Sequence, residues 1–326
     1  MTLLITGSNG FLGSEIVRQV AQTGMRVRAT DKREGLPFSA IDYCQADILN
    51  PESLRPIMRD VKTVIHAAGL AHVFDNSKTS AASFKAVNEV GTANVVRTAV
   101  EMGVRHLVLI SSVAVYANSK IGVNESSVCY PEGPYAESKW EAEHRAIEIV
   151  DQTDTALTIL RMATVYGEED RGNVARLIRA IQKGRFIWVG KGLNQKSLIH
   201  REDAARACLT AIKIPARGIE IYNVSSPPCT MREIVEGITV ALGKHPFPVR
   251  VPASLALLLS RHLSRIPNRR MGGLHQTVKK WLAEDVYDTR RFEAAYGFQT
   301  KTSLEDGLKR EVDWYRQNQQ NEQVAR

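Results

Sequence analysis

The stretch Thr6-Gly7-Ser8-Asn9-Gly10-Phe11-Leu12-Gly13 decides the fold. An apolar run, Thr2 to Thr6 (TLLIT), precedes it, and a helical pattern from Phe11 to Gln22 follows, with Ile16, Val17 and Val20 on one side. Between a strand and a helix the three glycines have separate tasks. Gly7 permits a tight turn, Gly10 lets the backbone approach a pyrophosphate, and Gly13 lets the helix pack closely. The helix start then presents unpaired N–H groups and partial positive charge to phosphates. A glycine triplet alone is weak; its place in the first strand–turn–helix unit gives it weight. The turn, with Asn9, Phe11 and Leu12 as its other members, is expected to hold a dinucleotide.

Working outward, Gly24 ends the helix and Met25 to Thr30 reads as a second strand closing on Asp31, 18 residues past Gly13. A carboxylate there accepts hydrogen bonds from ribose hydroxyls and repels a 2′-phosphate, which favours NAD over NADP. Arg28, Lys32 and Arg33 argue the other way, because an arginine can hold the extra phosphate. Asp47 and Ile48, after a third short strand, either flank the adenine or cap a loop. The alternation continues with Thr63 to His66 as strand, Ala86 to Met102 as helix, then Leu107 to Ser111 and Leu157 to Arg161 as strands. Strands alternating with helices imply an α/β fold, a Rossmann-type doubly wound parallel sheet. The pattern loosens after Tyr166-Gly167, so residues 1–165 are expected to form the cofactor domain. Residues 166–326 then form a smaller mixed substrate domain, with some exchange of segments. Within it Met231 to Leu242 and Ser303 to Arg316 read as helices, Ser303 capping the latter ahead of Asp306. Gln317 to Arg326 reads as a frayed tail.

The 326 residues are 44% hydrophobic and 24% charged, a globular balance that excludes disorder and low-complexity repeats. Cys44, Cys129, Cys208 and Cys229 make no CxxC pair, so neither a metal site nor a disulfide framework is indicated. With an apolar strand at once and no long apolar run, the expectation is a soluble, cytoplasmic protein. The formal charge of +8 favours anionic partners. RNA-binding signatures and helix-turn-helix spacing are missing, so no nucleic acid is expected. The densest basic patch is Arg261, Arg265, Arg269 and Arg270 with Lys279 and Lys280; joined to the apolar run from Val251, it is a candidate for weak peripheral membrane contact.

Two Tyr-xxx-Lys matches occur. Tyr116 to Lys120 runs into a turn-rich stretch with Gly122 and Asn124, where the side chains need not meet. Tyr135 to Lys139 follows Pro134 and opens an amphipathic helix, on which residues four apart share a face. A phenol is a poor base at neutral pH, and a neighbouring ammonium lowers its pKa towards a useful range. Tyr135 and Lys139 are therefore the expected catalytic pair, with Ser112 donating to the same substrate oxygen. Tyr116 is assigned to structure or to pocket lining.

Taken together, TGSNGFLG, Asp31, HAAG (66–69), VNEVGT (87–92), SSVAVY (111–116), YAESK (135–139) and LRMATVYG (160–167) resemble the extended short-chain dehydrogenase/reductase family. Within it the chain is similar to the nucleotide-sugar epimerase/dehydratase branch, through to YDTRRFEAAYGF (287–298) and SLEDGLKREVDWY (303–315). GLAHVF (69–74) and RGNVARLIRAI (171–181) are similar to bacterial enzymes acting at C4 of UDP-N-acetylhexosamines. The resemblance implies that Tyr135 is the acid/base, Lys139 tunes it and binds the nicotinamide ribose, and Ser112 orients the substrate oxygen. It implies that Asn88 is the central asparagine, that Ala67, Ala68 and Gly69 lie along the cofactor, and that Asn173 binds substrate. Lys196 stands where the family usually has an arginine on the substrate diphosphate, and Thr164 where many relatives have asparagine. His72 is a candidate pocket residue, while His200 and Asp203 are read as structural. A homodimer through the helices near 86–102 and 135–150 is implied as well.

The expected substrate is a UDP-linked sugar epimerised at C4 through a 4-keto intermediate. A 4-ketoreductase, a steroid-type alcohol dehydrogenase, and a non-catalytic dinucleotide-sensing or RNA-binding relative are the alternatives. A 4,6-dehydratase needs an acidic pair after the active-site Ser/Thr; Val113 and Ala114 stand there instead.

Overall fold

The computed structural model describes residues 2–35, 41–71, 78–116, 120–214, 217–244, 250–263 and 274–324. His72, Arg265, Arg269 and Arg270 lie outside the described residues.

The first half alternates as its hydrophobic runs require: β1 (Thr2–Thr6), α1 (Phe11–Val20), β2 (Arg26–Thr30), β3 (Asp42–Tyr43), α2 (Pro51–Ile57), β4 (Val61–His66) and α3 (Lys78–Phe84). A π-helical turn, Lys85–Val90, runs straight into α4 (Gly91–Glu101), so the segment read as one helix contains a change of pitch. Then come β5 (His106–Ser112), a 3-10 turn (Val113–Val115), β6 (Lys120–Val123), α5 (Pro134–Val150) and β7 (Ala156–Met162). Local chemistry sets several boundaries. Asn50 caps α2 by accepting from the Glu52 N–H at 3.2 Å. Pro134 occupies the first turn of α5 after Gly133, whose φ of 90° suits glycine.

The second half uses shorter pieces: β8 (Thr164–Tyr166), α6 (Asn173–Gln182), β9 (Trp188–Val189), β10 (Gln195–Lys196), β11 (Leu198–His200), α7 (Arg201–Ala211), β12 (Ile219–Val224) and β13 (Cys229–Thr230). There follow α8 (Met231–Ala241), opened by a Thr230–Glu233 capping box, β14 (Arg250–Val251), α9 (Ala253–Leu263), α10 (Leu274–Leu282), β15 (Asp285–Tyr287), α11 (Arg290–Tyr296) and α12 (Leu304–Val324). Ser303 caps α12 through the Asp306 N–H at 3.0 Å, as its sequence predicts, but the helix continues to Val324 where a frayed tail was expected.

Seven parallel strands form the main sheet in the order β12-β7-β5-β4-β1-β2-β3. Being covered on both faces, its central strands bury every residue of β1 and β7 and show no alternation. On one face Ile16, Val17 and Val20 of α1 pack with Ala204, Ala207 and Cys208 of α7. On the other, Leu54, Val95, Val96, Ala146 and Val150 cover the sheet. Both α7 and β12 come from the second half of the chain, so the segments cross over between the halves. The remaining strands form a four-stranded sheet β13-β10-β15-β6 and the pairs β11–β8 and β14–β9. A separate core gathers around Ile178, Trp188, Ile234, Ile238 and Leu308, and Val123 of β6 and Tyr287 of β15 pack with Val113, Val115 and Tyr116. In a sheet of this kind ligands bind outside the carboxyl ends of the strands.

Candidate functional site

The carboxyl ends of β1, β2, β4 and β5 deliver Gly7, Asp31, Ala67 and Ser112 to one edge of the sheet. Gly7 has φ of +69°, and a Cβ there would stand 2.5 Å from the Ala68 Cα. A Cβ on Gly13 would stand 2.0 Å from the Gly7 carbonyl oxygen, so the turn folds onto its own helix only without side chains. Gly10 is the N-cap of α1 and no side chain caps it. The first N–H groups of the helix therefore face the turn. Ser8 Oγ, Asn9 Oδ1 and Thr30 Oγ1 are buried around it without a hydrogen-bond partner among the described residues. Uncapped donors, glycine backbone and orphaned polar atoms fit the pyrophosphate side of a dinucleotide.

Asp31 is tied into that cradle. Its carboxylate accepts from the Asn9 N–H at 3.2 Å and from the Arg33 N–H and Nε at 3.1 and 3.2 Å. Arg28 is drawn away to Asp42 at 2.8 Å and to the Ile57 carbonyl, which leaves Arg33 as the arginine beside Asp31. Asp47 accepts from the Leu49 N–H at 3.0 Å, a loop-cap contact. Ile48 packs on the helix, where a Cβ at Gly91 would meet its Cδ1 at 2.6 Å.

The second corner gathers Ser112, Tyr135, Lys139 and Asn88. Ser112 ends β5, accepts from the Ala114 N–H at 3.2 Å and hydrogen-bonds the Tyr135 phenol. Burial pushes the Tyr135 pKa above its ordinary value, and the Ser112 bond pulls it back. Lys139 donates to the Ile110 carbonyl at 2.9 Å, and loss of hydration lowers its pKa to about 8 against an upward pull from Glu143. The downward pull on the phenol thus comes from Ser112 rather than from the ammonium expected to supply it. Asn88 sits in the π-helical turn, almost fully buried; its Oδ1 accepts from the Leu70 N–H at 2.7 Å, and its Nδ2 donates to the Leu70 carbonyl at 3.0 Å and Ser138 Oγ at 2.9 Å. A Cβ at Gly69 would come within 3.3 Å of both Asn88 Oδ1 and Lys139 Nζ, so the 67–70 segment is pressed between them. The extra residue of the π-turn aims a side chain that a regular helix would point elsewhere.

Behind this corner lies a buried network that sequence reasoning missed. Glu143, one turn beyond Lys139, pairs with Arg161 of β7, with Nη2 to Oε2 at 2.6 Å and both side chains almost fully buried. Arg161 Nη1 donates to the Tyr116 hydroxyl at 2.8 Å, which donates to Asn223 Oδ1 at 2.9 Å. Ser111 Oγ donates to Glu143. His66 is likewise structural: its ring nitrogens contact Thr6 Oγ1 at 2.7 Å and Thr92 Oγ1 at 3.0 Å, and burial first, then the Lys139 charge, lowers its pKa to about 3.

The substrate-side residues are more scattered. Lys196 is buried in β10, bound to Asp285 at 2.6 Å and to the Lys280 carbonyl at 2.8 Å, so its ammonium is already paired. Asn173 is exposed at the first turn of α6, and Thr164 is exposed in β8. His200 caps α7 through the Glu202 N–H at 3.4 Å, and Asp203 receives the N–H groups of Lys301 and Thr302. Arg201, also not singled out from sequence, places its guanidinium 5.0 Å from the Phe11 ring centroid and donates to Ser14 Oγ at 3.1 Å, beside the start of α1.

A family model described as the NAD dependent epimerase/dehydratase family matches residues 3–225. An N-acetyl-alpha-D-glucosaminyl-diphospho-ditrans,octacis-undecaprenol 4-epimerase of Escherichia coli O157:H7 is 29% identical over 318 residues, covering 96% of this chain and 94% of that one. A 2-alkyl-3-oxoalkanoate reductase of Stenotrophomonas maltophilia is 28% identical over 333 residues, covering 95% and 98%. Among solved structures, MoeE5 in complex with UDP-glucose and NAD superposes with a TM-score of 0.79 at 26% identity, covering 98% of this chain and all of that one.

Proposed function

Because the chain belongs to the NAD-dependent epimerase/dehydratase family, as an enzyme of the extended short-chain dehydrogenase/reductase type, we propose that it epimerises C4 of a UDP-hexose or UDP-N-acetylhexosamine with NAD as its resident cofactor. The observation that carries this reading is the Ser112–Tyr135–Lys139 corner, set one sheet edge from the Gly7–Gly13 cradle. When bound at the Gly7–Gly13 cradle, NAD would supply the hydride acceptor and donor. Tyr135 takes the proton of the sugar hydroxyl as the carbon is oxidised and returns it when the 4-keto group is reduced on its other face. Ser112 donates a hydrogen bond to the same oxygen. Lys139, held by the Ile110 carbonyl, would bring positive charge to the nicotinamide ribose. Asn88 fixes the distance between the 67–70 segment and α5 through Leu70 and Ser138. Asp31 favours NAD, and Val113 and Ala114 in the turn after Ser112 disfavour dehydration.

A second reading is a ketoreductase, favoured by the Stenotrophomonas reductase, which matches almost the whole chain. A third concerns the carrier: the Escherichia coli relative is named for a sugar on a polyprenyl diphosphate. Incubation with NAD, and in parallel with NADH or NADPH, and a panel of UDP-hexoses, UDP-N-acetylhexosamines and their 4-keto forms separates the first two. Interconversion of C4 isomers without net NADH is expected. Net consumption of reduced cofactor without isomer exchange overturns the epimerase reading in favour of the reductase.

A further inference from the structure

Helix α9 is built inside out. Its inward positions are the small residues Ala256 and Ser260, with Ser260 Oγ 3.0 Å from His275 Nδ1 of α10. Three of its leucines point away: Leu255, Leu258 and Leu259 are 44%, 54% and 49% exposed, while Leu257 and Leu263 are half-buried. At helical spacing these three share one face with exposed His262. A helix that leaves three leucines on water on one face presents an apolar patch of the kind that marks an interaction surface. The charge pattern around it says what kind. Arg261, Lys279 and Lys280 are exposed on the α9–α10 pair, and neither helix contains an Asp or Glu. Apolar residues on one face beside cations, on a helix of 11 residues that is too short to span a bilayer, are the pattern of a helix lying in a lipid–water interface.

We propose that the leucine face of α9, on a helix pair that also carries exposed Arg261, Lys279 and Lys280, docks on the surface of an anionic lipid bilayer. This goes beyond the sugar chemistry and does not depend on it. The hairpin is firmly tied to the substrate half: Trp281 Nε1 donates to the Val189 carbonyl at 3.0 Å, Asn194 Nδ2 to the carbonyls of Trp281 and Ala283 at 2.8 and 3.0 Å, and Lys196 Nζ to that of Lys280. Docking through α9 therefore sets the β9–β10 side of the molecule towards the membrane.

Co-sedimentation of the full chain with phosphatidylglycerol–phosphatidylcholine vesicles and with pure phosphatidylcholine vesicles tests this. The chain is expected to partition onto the mixed vesicles. Leu258→Ser combined with Leu259→Ser lowers that partition about tenfold, and Lys279→Gln combined with Lys280→Gln lowers it about tenfold on the mixed vesicles only. High salt has the effect of the lysine pair. Both variants should keep the unfolding midpoint and the turnover of soluble substrate. The proposal is overturned if the chain fails to bind mixed vesicles, or if the leucine pair binds like the unaltered protein. It is equally overturned if the leucine pair converts a dimer to monomer by light scattering with no change in lipid binding, because a second copy then covers this face.

Discussion

Tyr116 and Tyr135 each stand four residues before a lysine, and burial raises the pKa of both, yet the fold gives them opposite surroundings. Tyr116 is locked: its hydroxyl accepts from Arg161 and donates to Asn223, and desolvation raises its pKa to about 12 despite the arginine. Lys120 lies on a strand rather than one helical turn further on. Tyr135 opens α5, retains partial exposure, and hydrogen-bonds Ser112 at the sheet edge, with Lys139 on the next turn of the same helix. One phenol has both hydrogen-bonding directions filled by the core; the other, bonded to Ser112, is partly exposed at the sheet edge. Spacing is shared between them, so spacing does not make the site. What differs is which partners the tertiary structure has already assigned.

The largest expected contrast comes from removing each hydroxyl in turn. Tyr135→Phe is expected to lower kcat about a thousandfold, within the range for loss of a general acid/base, which is about 4 kcal/mol on the barrier. Cofactor affinity, followed by fluorescence titration with NAD, should be unchanged. A Tyr135→Phe enzyme with near-normal kcat ends the assignment of Tyr135 as proton carrier.

How far the sequence could anticipate this is uneven, and the reason is range. Thr6 to Gly13, Asp31 and the alternation through β7 are local patterns, and the structure sets them where periodicity puts them. Tyr135 and Lys139 are local too, four apart on one helix. By contrast β12 lies at residues 219–224 but pairs with β7 in the main sheet, a union that no pattern within either segment announces. Lys196 is expected on a substrate diphosphate, and the fold pairs it with Asp285, 89 residues on, a contact that no local pattern announces. The Glu143–Arg161 pair did leave a signal: Arg161 is the one ionisable residue in a strand buried throughout, and Glu143 follows Lys139 by one turn. An arginine there needs a buried carboxylate, and Glu143 of α5, a helix that packs on β7, supplies it.

That pair stands between the two tyrosines and joins them, since Glu143 faces Lys139 while Arg161 holds Tyr116. Glu143→Gln should therefore act on both sides. Leaving Arg161 without its counter-charge is expected to cost about 3 kcal/mol of stability, read from denaturant midpoints. It also removes the pull that raises the Lys139 pKa. Lys139 is charged below about 8 and neutral above, so the alkaline limb of kcat/KM is expected near that pH and should move lower in the variant. The sign for stability follows from the same depression: between about 8 and 10.5 the unfolded lysine keeps a proton that the folded one has released, so Lys139 makes stability rise with pH across that window. An unmoved limb in Glu143→Gln means that another group titrates there.

The smallest effect is the sharpest test of the contrast. Tyr116→Phe deletes a hydroxyl that bonds Arg161 Nη1 at 2.8 Å and Asn223 Oδ1 at 2.9 Å. The ring remains, with its stacking on Tyr287 at 5.9 Å, so no cavity of note opens. Arg161 keeps Glu143 through Nε and Nη2, so no charge is stranded, while Arg161 Nη1 and Asn223 Oδ1 each lose the bond to this hydroxyl. The expected cost is about 1–2 kcal/mol in unfolding free energy, with kcat within about twofold of the unaltered enzyme. If Tyr116→Phe instead lowers kcat as far as Tyr135→Phe without loss of stability, the locked phenol is part of the chemistry. The separation of a structural from a reactive tyrosine would then fall, because two hydroxyls in unlike surroundings would be doing the same work.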